Sequence, residues 1–539
     1  MKNHVSKIML ICLFLLFVCS TTQAQEQLIY HEIQTDVNGK ILPWSDPDPS
    51  IAFDQIIQLI WDFWQNMRMD PNGLPYYMNH QVWEEFYNDR RGIGGDQIQM
   101  ALSAWRLLYA YSGDERIKAN MRFMADYYLS HSLSSPDADW PSIPYPYNTL
   151  IYSGFYDGDM VIGKGFTQPD KAGSFGFELV NLYKMTGQRN YLEAAIQIAN
   201  TLAKHTMKGD SIHSPIPFKV NAETGETGTF TASLEDQTVT GISCYTTNWA
   251  PTMSLFLSLQ EMKTGQTNDY QTAFQLLHDW TKAYPLRNNR WGPFFEDVSG
   301  WSDTQINAMT MARFIMEHQA YFPDWQKDVQ NIVDWVYSTL GNKQWEKYGV
   351  IAINEQTSFP VPGNSHTARQ GTDELLFARL TGNMTNYDRA LRQLIWACYM
   401  VDTDGKNRFP TIEIWLTDGY GDYIRHYLRA MAAFPEIAPA NTDHILSSTS
   451  VIQQADYHGR HHKELKDESG KLQSGISYET FDNHGTEQIR MIKRPTKILL
   501  NGNPLSETGS GEGYIWKALQ AGGILTINRL QGKQIDIHN

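Results

Sequence analysis

The chain has 539 residues, a formal charge of −15, 19% charged residues and 12% aromatic residues. That length can bury a large core and still carry an accessory unit, and the acidic balance argues against nucleic acid or an anionic lipid surface as a partner. Only 4 cysteines are present, and Cys12 and Cys19 lie near the start, which excludes a scaffold built on disulfides.

Residues 1–24 read as a secretory leader. Lys2 and Lys7 flank the start of an apolar run over 8–19, and Thr22-Gln23-Ala24 supplies small residues before a cut. The run is too short to span a bilayer comfortably, and no later run reaches membrane length. The expectation is a soluble, exported chain, periplasmic or extracellular, with no membrane insertion after the leader is removed. Lipidation at Cys19 is the alternative, and Val18 is a poor residue to precede it. Residues 25–50 form an N-terminal arm.

From 51 to 435 one unit recurs. Its plainest copy is NWAPTMSLFLSLQEMKTGQTNDYQTA at 248–273, an apolar helix, a joint at Lys263-Thr264-Gly265 and a more polar helix. Gly265 is expected to take positive φ as a C-cap, and Asn268 or Asp269 to cap the following helix. Equivalent joints fall at Gly113, Gly187, Pro323, Gly382 and Pro435. The helix before each joint is apolar on most faces, as a buried inner helix should be. The helix after it has one apolar stripe, such as Ile117, Met121, Met124 and Tyr128, as an outer helix should. A first outer helix at 53–67 supplies the partner for the inner helix at 96–111. Six such hairpins predict a mainly α fold, an (α/α)6 toroid. The short joints then share one face, and the long loops before the inner helices gather at the mouth of the ring.

After Pro435, residues 436–443 read as a linker. The runs KILLNG, YIWKAL, GILTINRL and KQIDIH, with turns at Asn501-Gly502 and Gly522-Gly523, predict a small all-β domain over 444–539. It is either a brace for the toroid or a separate binding module. The run His458-Gly459-Arg460-His461-His462 lacks a Cys or carboxylate at ligand spacing, so no metal site is expected. No cofactor is expected either: GIGGD lacks the dinucleotide pattern, and neither G-x-S-x-G nor H-E-x-x-H occurs. Cys244 and Cys398 could pair, but Cys398 sits in the apolar helix LIWACYM, where a buried thiol is the commoner outcome.

The hairpins, their Thr-Gly joints and NAETGE at 221–226, followed by CYTTNWAPTMSLFLSLQEMKTG, together resemble the six-hairpin glycosidase superfamily. The nearest pattern is that of the unsaturated glucuronyl hydrolases and related uronic-acid-cleaving enzymes. Where that family opens an inner helix with a Cys-Trp-Ala-Arg-Gly type of motif, this chain reads Thr246-Thr247-Asn248-Trp249-Ala250-Pro251. It keeps the Trp and Ala and lacks the Arg-Gly. The resemblance implies acid/base aspartates at the starts of consecutive inner helices, positions held here by Asp96 and Asp170. Each is equally a favoured helix cap.

Glycoside cleavage needs one carboxylic acid and a second carboxylate. Glu235, Asp236, Glu296, Asp297, Asp303, Asp373, Glu374, Glu413, Asp418 and Asp422 are further acids that could complete a pair. Arg369 is the candidate to hold a sugar carboxylate in a two-pronged grip, with Lys171 and Lys164 around Asp170. Loop aromatics, Trp249 and Trp301 above all and also Trp140, Trp291 and Trp415, either stack on sugar rings or pack the loops. Tyr420 is a further substrate-binding candidate. His366 as a general base, with Tyr245 or Tyr420 as proton donor, would instead give a polysaccharide lyase. The expectation is a secreted glycoside hydrolase acting on an oligosaccharide or polysaccharide at a uronic acid such as glucuronate. A lyase and a non-catalytic glycan-binding protein are the alternatives, and the oligomeric state stays open.

Overall fold

The computed structural model describes residues 27–67, 69, 73–79, 94–146, 156–158, 162–231, 239–294, 301–407, 421, 423–458 and 475–539. The leader therefore lies outside the described residues, as do Glu235, Asp236, Glu296, Asp297, Glu413, Trp415, Asp418, Tyr420 and Asp422.

Twelve helices alternate between two rings. The outer helices are α1 (Pro49–Gln65), α3 (Glu115–His131), α5 (Arg189–Lys204), α7 (Thr267–Ala283), α9 (Trp325–Leu340) and α11 (Tyr387–Cys398). The inner helices are α2 (Gly94–Ser112), α4 (Pro169–Thr186), α6 (Ala250–Glu261), α8 (Gln305–Glu317), α10 (Asn364–Thr381) and α12 (Ile424–Ala433). Each inner helix packs on the next, and α12 returns to α2, which closes the ring as an (α/α)6 toroid. Outer helices show the single buried stripe that their sequences predict: α3 buries Ile117, Met121, Met124, Ala125 and Tyr128. Inner helix α4 is buried nearly all round, whereas inner helix α6 buries half of its residues.

Backbone chemistry sets the joints. Gly187 and Gly382 cap α4 and α10 in the left-handed region at φ +73° and +74°, where a Cβ would cost energy. The joint at 263–265 differs in detail from expectation. Lys263 as well as Gly265 takes positive φ, at +52° and +72°. The next helix starts at Thr267 behind Gln266, with Asn268 and Asp269 inside its first turn, so neither is its cap. Close helix contact also relies on small residues. A Cβ at Gly173 of α4 would lie 1.9 Å from Thr252 Oγ1 of α6.

The arm before α1 straps the last hairpin. His31 stacks on Trp44 with ring centroids 3.6 Å apart and bonds the Val401 carbonyl at 2.7 Å. Among the described residues no helix is long and apolar enough to cross a membrane. Cys244 and Cys398 are both free thiols.

The C-terminal region is a β-sandwich of β1 (His444–Ser448), β2 (Ile452–Tyr457), β3 (Gly475–Thr480), β4 (Gly485–Met491), β5 (Lys497–Leu500), β6 (Asn503–Pro504), β7 (Gly513–Ala518), β8 (Gly523–Arg529) and β9 (Gln534–His538). One antiparallel sheet has the order β1-β4-β8-β7 and the other β2-β3-β9-β5-β6. Its first two strands sit on the joint face of the toroid, against α2, α4 and α12. His444 stacks on Tyr111 at 3.7 Å, Tyr457 donates to the Ala110 carbonyl at 2.5 Å, and Gln453 to the Lys184 carbonyl at 2.7 Å. The two regions share one continuous apolar core. The sandwich therefore braces the ring on the face opposite the mouth.

Candidate active site

An axial cavity of about 140 Å³ runs down the middle of the toroid, room for roughly ten water molecules. All six inner helices line it: α2 through Gln99 and Ser103, α4 through Ser174 and Glu178, α6 through Pro251 and Ser254, α8 through Thr310, Arg313 and Glu317, α10 through Arg369 and Asp373, and α12 through Arg425 and Arg429. Along α8 the lining extends from Ile306 near the mouth to Glu317 at the last residue, about 16 Å at the helical rise. Glu317 is enclosed by the ring, yet half of its side-chain surface meets open space, and that space is the cavity.

The polar lining follows from i, i+4 spacing, which puts two side chains on one helix face. Arg313 and Glu317, Arg369 and Asp373, and Arg425 and Arg429 are three such pairs, each on an inner helix. Arg313 Nε donates to Asp373 Oδ1 at 2.8 Å and its Nη1 to Glu317 Oε1 at 2.9 Å. Glu178 is engaged by Arg106, with Nε to Oε2 at 3.2 Å. Four guanidinium groups thus face three carboxylates across the lining, and one of the carboxylates is already neutralised from behind. Burial pushes the Asp373 carboxyl above its ordinary range against the pull of Arg313. For Glu317 burial is again the largest single cause and acts in the same direction, but Arg313, Arg429 and His318 together outweigh it and the net shift is downward.

At the mouth end, Asp170 opens α4 and is fully buried. Its Oδ2 accepts from Lys171 Nζ and from Asn248 Nδ2, both at 2.8 Å, while Oδ1 has no hydrogen-bond partner among the described residues. Lys171 is fixed in turn by the Phe294 carbonyl at 2.6 Å and lies over the Phe294 ring at 3.5 Å. Asn248 and Phe294 line the cavity, so Asp170 stands one side chain behind its wall. Lys171 therefore holds Asp170 and is not a free ligand for substrate. Asp96 lies in the first turn of α2, the neighbouring inner helix, and its side chain is outside the described residues.

Across the ring from α4, and behind the cavity lining, His366 occupies the first turn of α10 and His426 that of α12. Burial, with Arg369 as the next cause, depresses both imidazoles well below the ordinary 6.5, so both are neutral at pH 7. Ser365 links them to Arg369: its hydroxyl meets His426 Nε2 at 3.2 Å and accepts from Arg369 Nη2 at 3.3 Å. Arg369 Nη1 donates to Gln305 Oε1 at 2.9 Å. Neither His366 Nδ1 nor His426 Nδ1 has a hydrogen-bond partner among the described residues.

Several other candidates turn out to be packing groups. Trp249 is completely buried, with Nε1 donating to the Thr246 carbonyl at 2.8 Å, so no sugar ring can stack on it. Trp291 is equally buried, and Trp140 stacks on His205 at 4.0 Å. Trp301 is half-buried but has Arg290 over its ring at 3.8 Å and Tyr245 at 5.2 Å. Asp303 accepts from the Trp301 indole at 3.0 Å and from two backbone amides at 2.7 and 2.8 Å, which fixes the loop. Glu374 is taken by Tyr337, by Gln370 at 3.0 Å and by Arg389 at 2.6 Å. Tyr245 donates to the Arg290 carbonyl, so it does not join His366 as a proton donor.

Arg313, Glu317, Arg425, Arg429 and His426 escaped the sequence reading. Their signal was present, since charged residues four apart inside otherwise apolar helices must face either a partner or a cavity.

No protein-family profile matches the chain, and no curated protein is similar to it in sequence. Its fold does match solved structures. The cellobiose 2-epimerase of Bacillus thermoamylovorans B4167 aligns at TM-score 0.52 and 13% identity, over 70% of this chain and 98% of that one. The cellobiose 2-epimerase of Spirochaeta thermophila DSM 6192 aligns at 0.51 and 13%, over 72% and 97%. A D-mannose isomerase aligns at 0.51 and 11%, over 72% and 99%. These likenesses, all at 13% identity or less, concern the fold, an (α/α)6 toroid.

Proposed function

We propose that this protein is a carbohydrate-active enzyme, a glycoside hydrolase that cleaves next to a uronic acid such as glucuronate. The observation that carries the reading is the axial cavity itself, deep and richer in guanidinium groups than in free carboxylates. Such a lining favours an acidic sugar over a neutral one, because each charged hydrogen bond from arginine to carboxylate is about twice as strong as a neutral one.

In this reading Asp170 is the base. One oxygen is held by two donors, and the other is buried with no hydrogen-bond partner among the described residues. Asp373 lines the cavity with Oδ2 unengaged among the described residues and a carboxyl whose proton affinity burial has raised. It is the proton donor to the leaving oxygen, the second half of the pair that hydrolysis needs. Arg369 holds the uronate. Export, read from residues 1–24, belongs to the same proposal, and the N-terminus of protein recovered from the periplasm or medium tests it.

The test of activity is a panel of uronic-acid glycans, following reducing ends, absorbance near 235 nm and the sugar composition of the products. Asp170→Asn and Asp373→Asn should each lower kcat by about 10²–10⁴-fold. Undiminished turnover in either variant removes that residue from the mechanism. A second reading rests on the neutral His366 and His426 around Arg369: proton transfer at a sugar carbon, as in an epimerase, an isomerase or a lyase. The epimerases and the isomerase among the structural neighbours bring the first two reactions to mind. Altered sugars without new reducing ends, lost in His366→Gln, would favour that reading.

A further inference from the structure

The inner end of the axial cavity holds a group that neither reading above uses. Arg429 lies one turn beyond Arg425 on α12 and faces the cavity. Among the described residues it has no hydrogen bond and no ion pair. Its neighbours in the electrostatic sense are Arg313 and Arg425, and the carboxylates Glu317 and Asp373. Those carboxylates are already engaged by Arg313, through Nη1 and Nε at 2.9 and 2.8 Å. Arg313 Nη2 is buried with no partner among the described residues. Arg425 Nη1 is spent on Ser103 Oγ at 2.8 Å.

A guanidinium enclosed by protein and left without a direct ion-pair partner among the described residues is costly, and here like charges add to the cost. Burial first, then Arg313 and Arg425, bring the Arg429 guanidinium down to about 9, still protonated at pH 7. The cavity floor is thus an incomplete electrostatic arrangement. What completes it is a compact acceptor with more than one oxygen, matched to the planar fork of arginine.

We propose that the inner end of the cavity is an anion pocket in which Arg429, flanked by Arg313 and Arg425, binds an oxyanion group, carboxylate or sulfate. The group comes either from an acidic sugar entering deep end first or from a free inorganic anion. The pocket is separate from Asp170 at the mouth and needs no turnover to be observed, so its test stands apart from the fate of the hydrolase reading.

The experiment is a thermal melt of the full-length mature protein at low ionic strength, titrated with sodium sulfate, sodium glucuronate, glucose or sodium chloride, the salts compared at matched ionic strength. The pocket predicts a saturable rise of about 1–2 °C with an oxyanion, and no rise with glucose or chloride. Arg429→Met should abolish the rise, and Arg429→Lys should weaken it without abolishing it. A rise with both glucuronate and sulfate assigns the pocket to an acidic sugar. A rise with sulfate alone assigns it to a free anion. No saturable rise in the wild type, or an equal rise in Arg429→Met, overturns the proposal. The variant removes a repelled charge, so it should fold, and its own melt in the absence of anion verifies that.

Discussion

Arg529 in the sandwich and Arg429 in the toroid are both surrounded by protein, and they are treated in opposite ways. Arg529 is nearly inaccessible to solvent and fully paired. Its Nε and Nη2 grip the two oxygens of Glu487 at 2.9 and 2.8 Å, and Nη1 reaches the carbonyls of Asp482 and Gly532 at 2.9 and 2.5 Å. Glu487 also accepts from Ser448 at 3.1 Å and Tyr478 at 3.3 Å. Arg429 has no such partner among the described residues and looks into a cavity. A buried charge with every bond made holds a fold together, whereas a buried charge left open marks a place for something else.

The sharpest way to break that contrast is to unpair the sandwich. Glu487→Gln leaves the Arg529 charge buried without its counter-ion and should cost about 3–5 kcal/mol, seen as a lower denaturant midpoint. A change under 1 kcal/mol would show that water reaches the pair. Next in size is Arg313→Met, which strips the bonds from buried Asp373 and should cost about 1–3 kcal/mol.

Acid tests the two buried histidines beside Arg369. His366 and His426 have folded-state values depressed well below 6.5, so below that pH the unfolded chain binds more protons than the folded one. Stability is then retained above about 6.5 and lost as pH falls. The slope approaches about 1.4 kcal/mol per pH unit for each histidine. His426→Gln should halve the slope between pH 6.5 and 5, and an unchanged slope would mean that these imidazoles are charged in the fold. The smallest effect, and the one of opposite sign, belongs to Arg429→Met: no loss, or a gain below about 1 kcal/mol, at low salt without anion. A loss as large as that of Glu487→Gln would erase the comparison altogether.

The architecture was readable in the sequence because local chemistry repeats. Glycines at 113, 187, 265 and 382 all take positive φ at joints, and striped helices follow each one. The last strands of the sandwich were equally plain, but β1 to β4 were not, because their alternation is brief and interrupted by polar residues. Asp170 was singled out from its place at a helix start, and it does stand in the first turn of α4. Trp249 was misjudged because it precedes a helix, and its neighbours gave no sign that the chain there turns inward. The cavity floor was missed because the inner helices were read as apolar on most faces, while Arg313, Arg425 and Arg429 interrupt theirs with charge.

Closure of the ring also sets an order in time. The α2 helix packs against α12, more than three hundred positions later in the chain, and Ser103 on α2 accepts a hydrogen bond from Arg425 on α12. A nascent chain that has made five hairpins holds an open horseshoe, its first inner helix exposed along one side until the last is synthesised. Arg425 and Arg429, two of the four cavity arginines, arrive with that final helix. The crowding of like charges is thereby postponed until the walls that confine it are already standing.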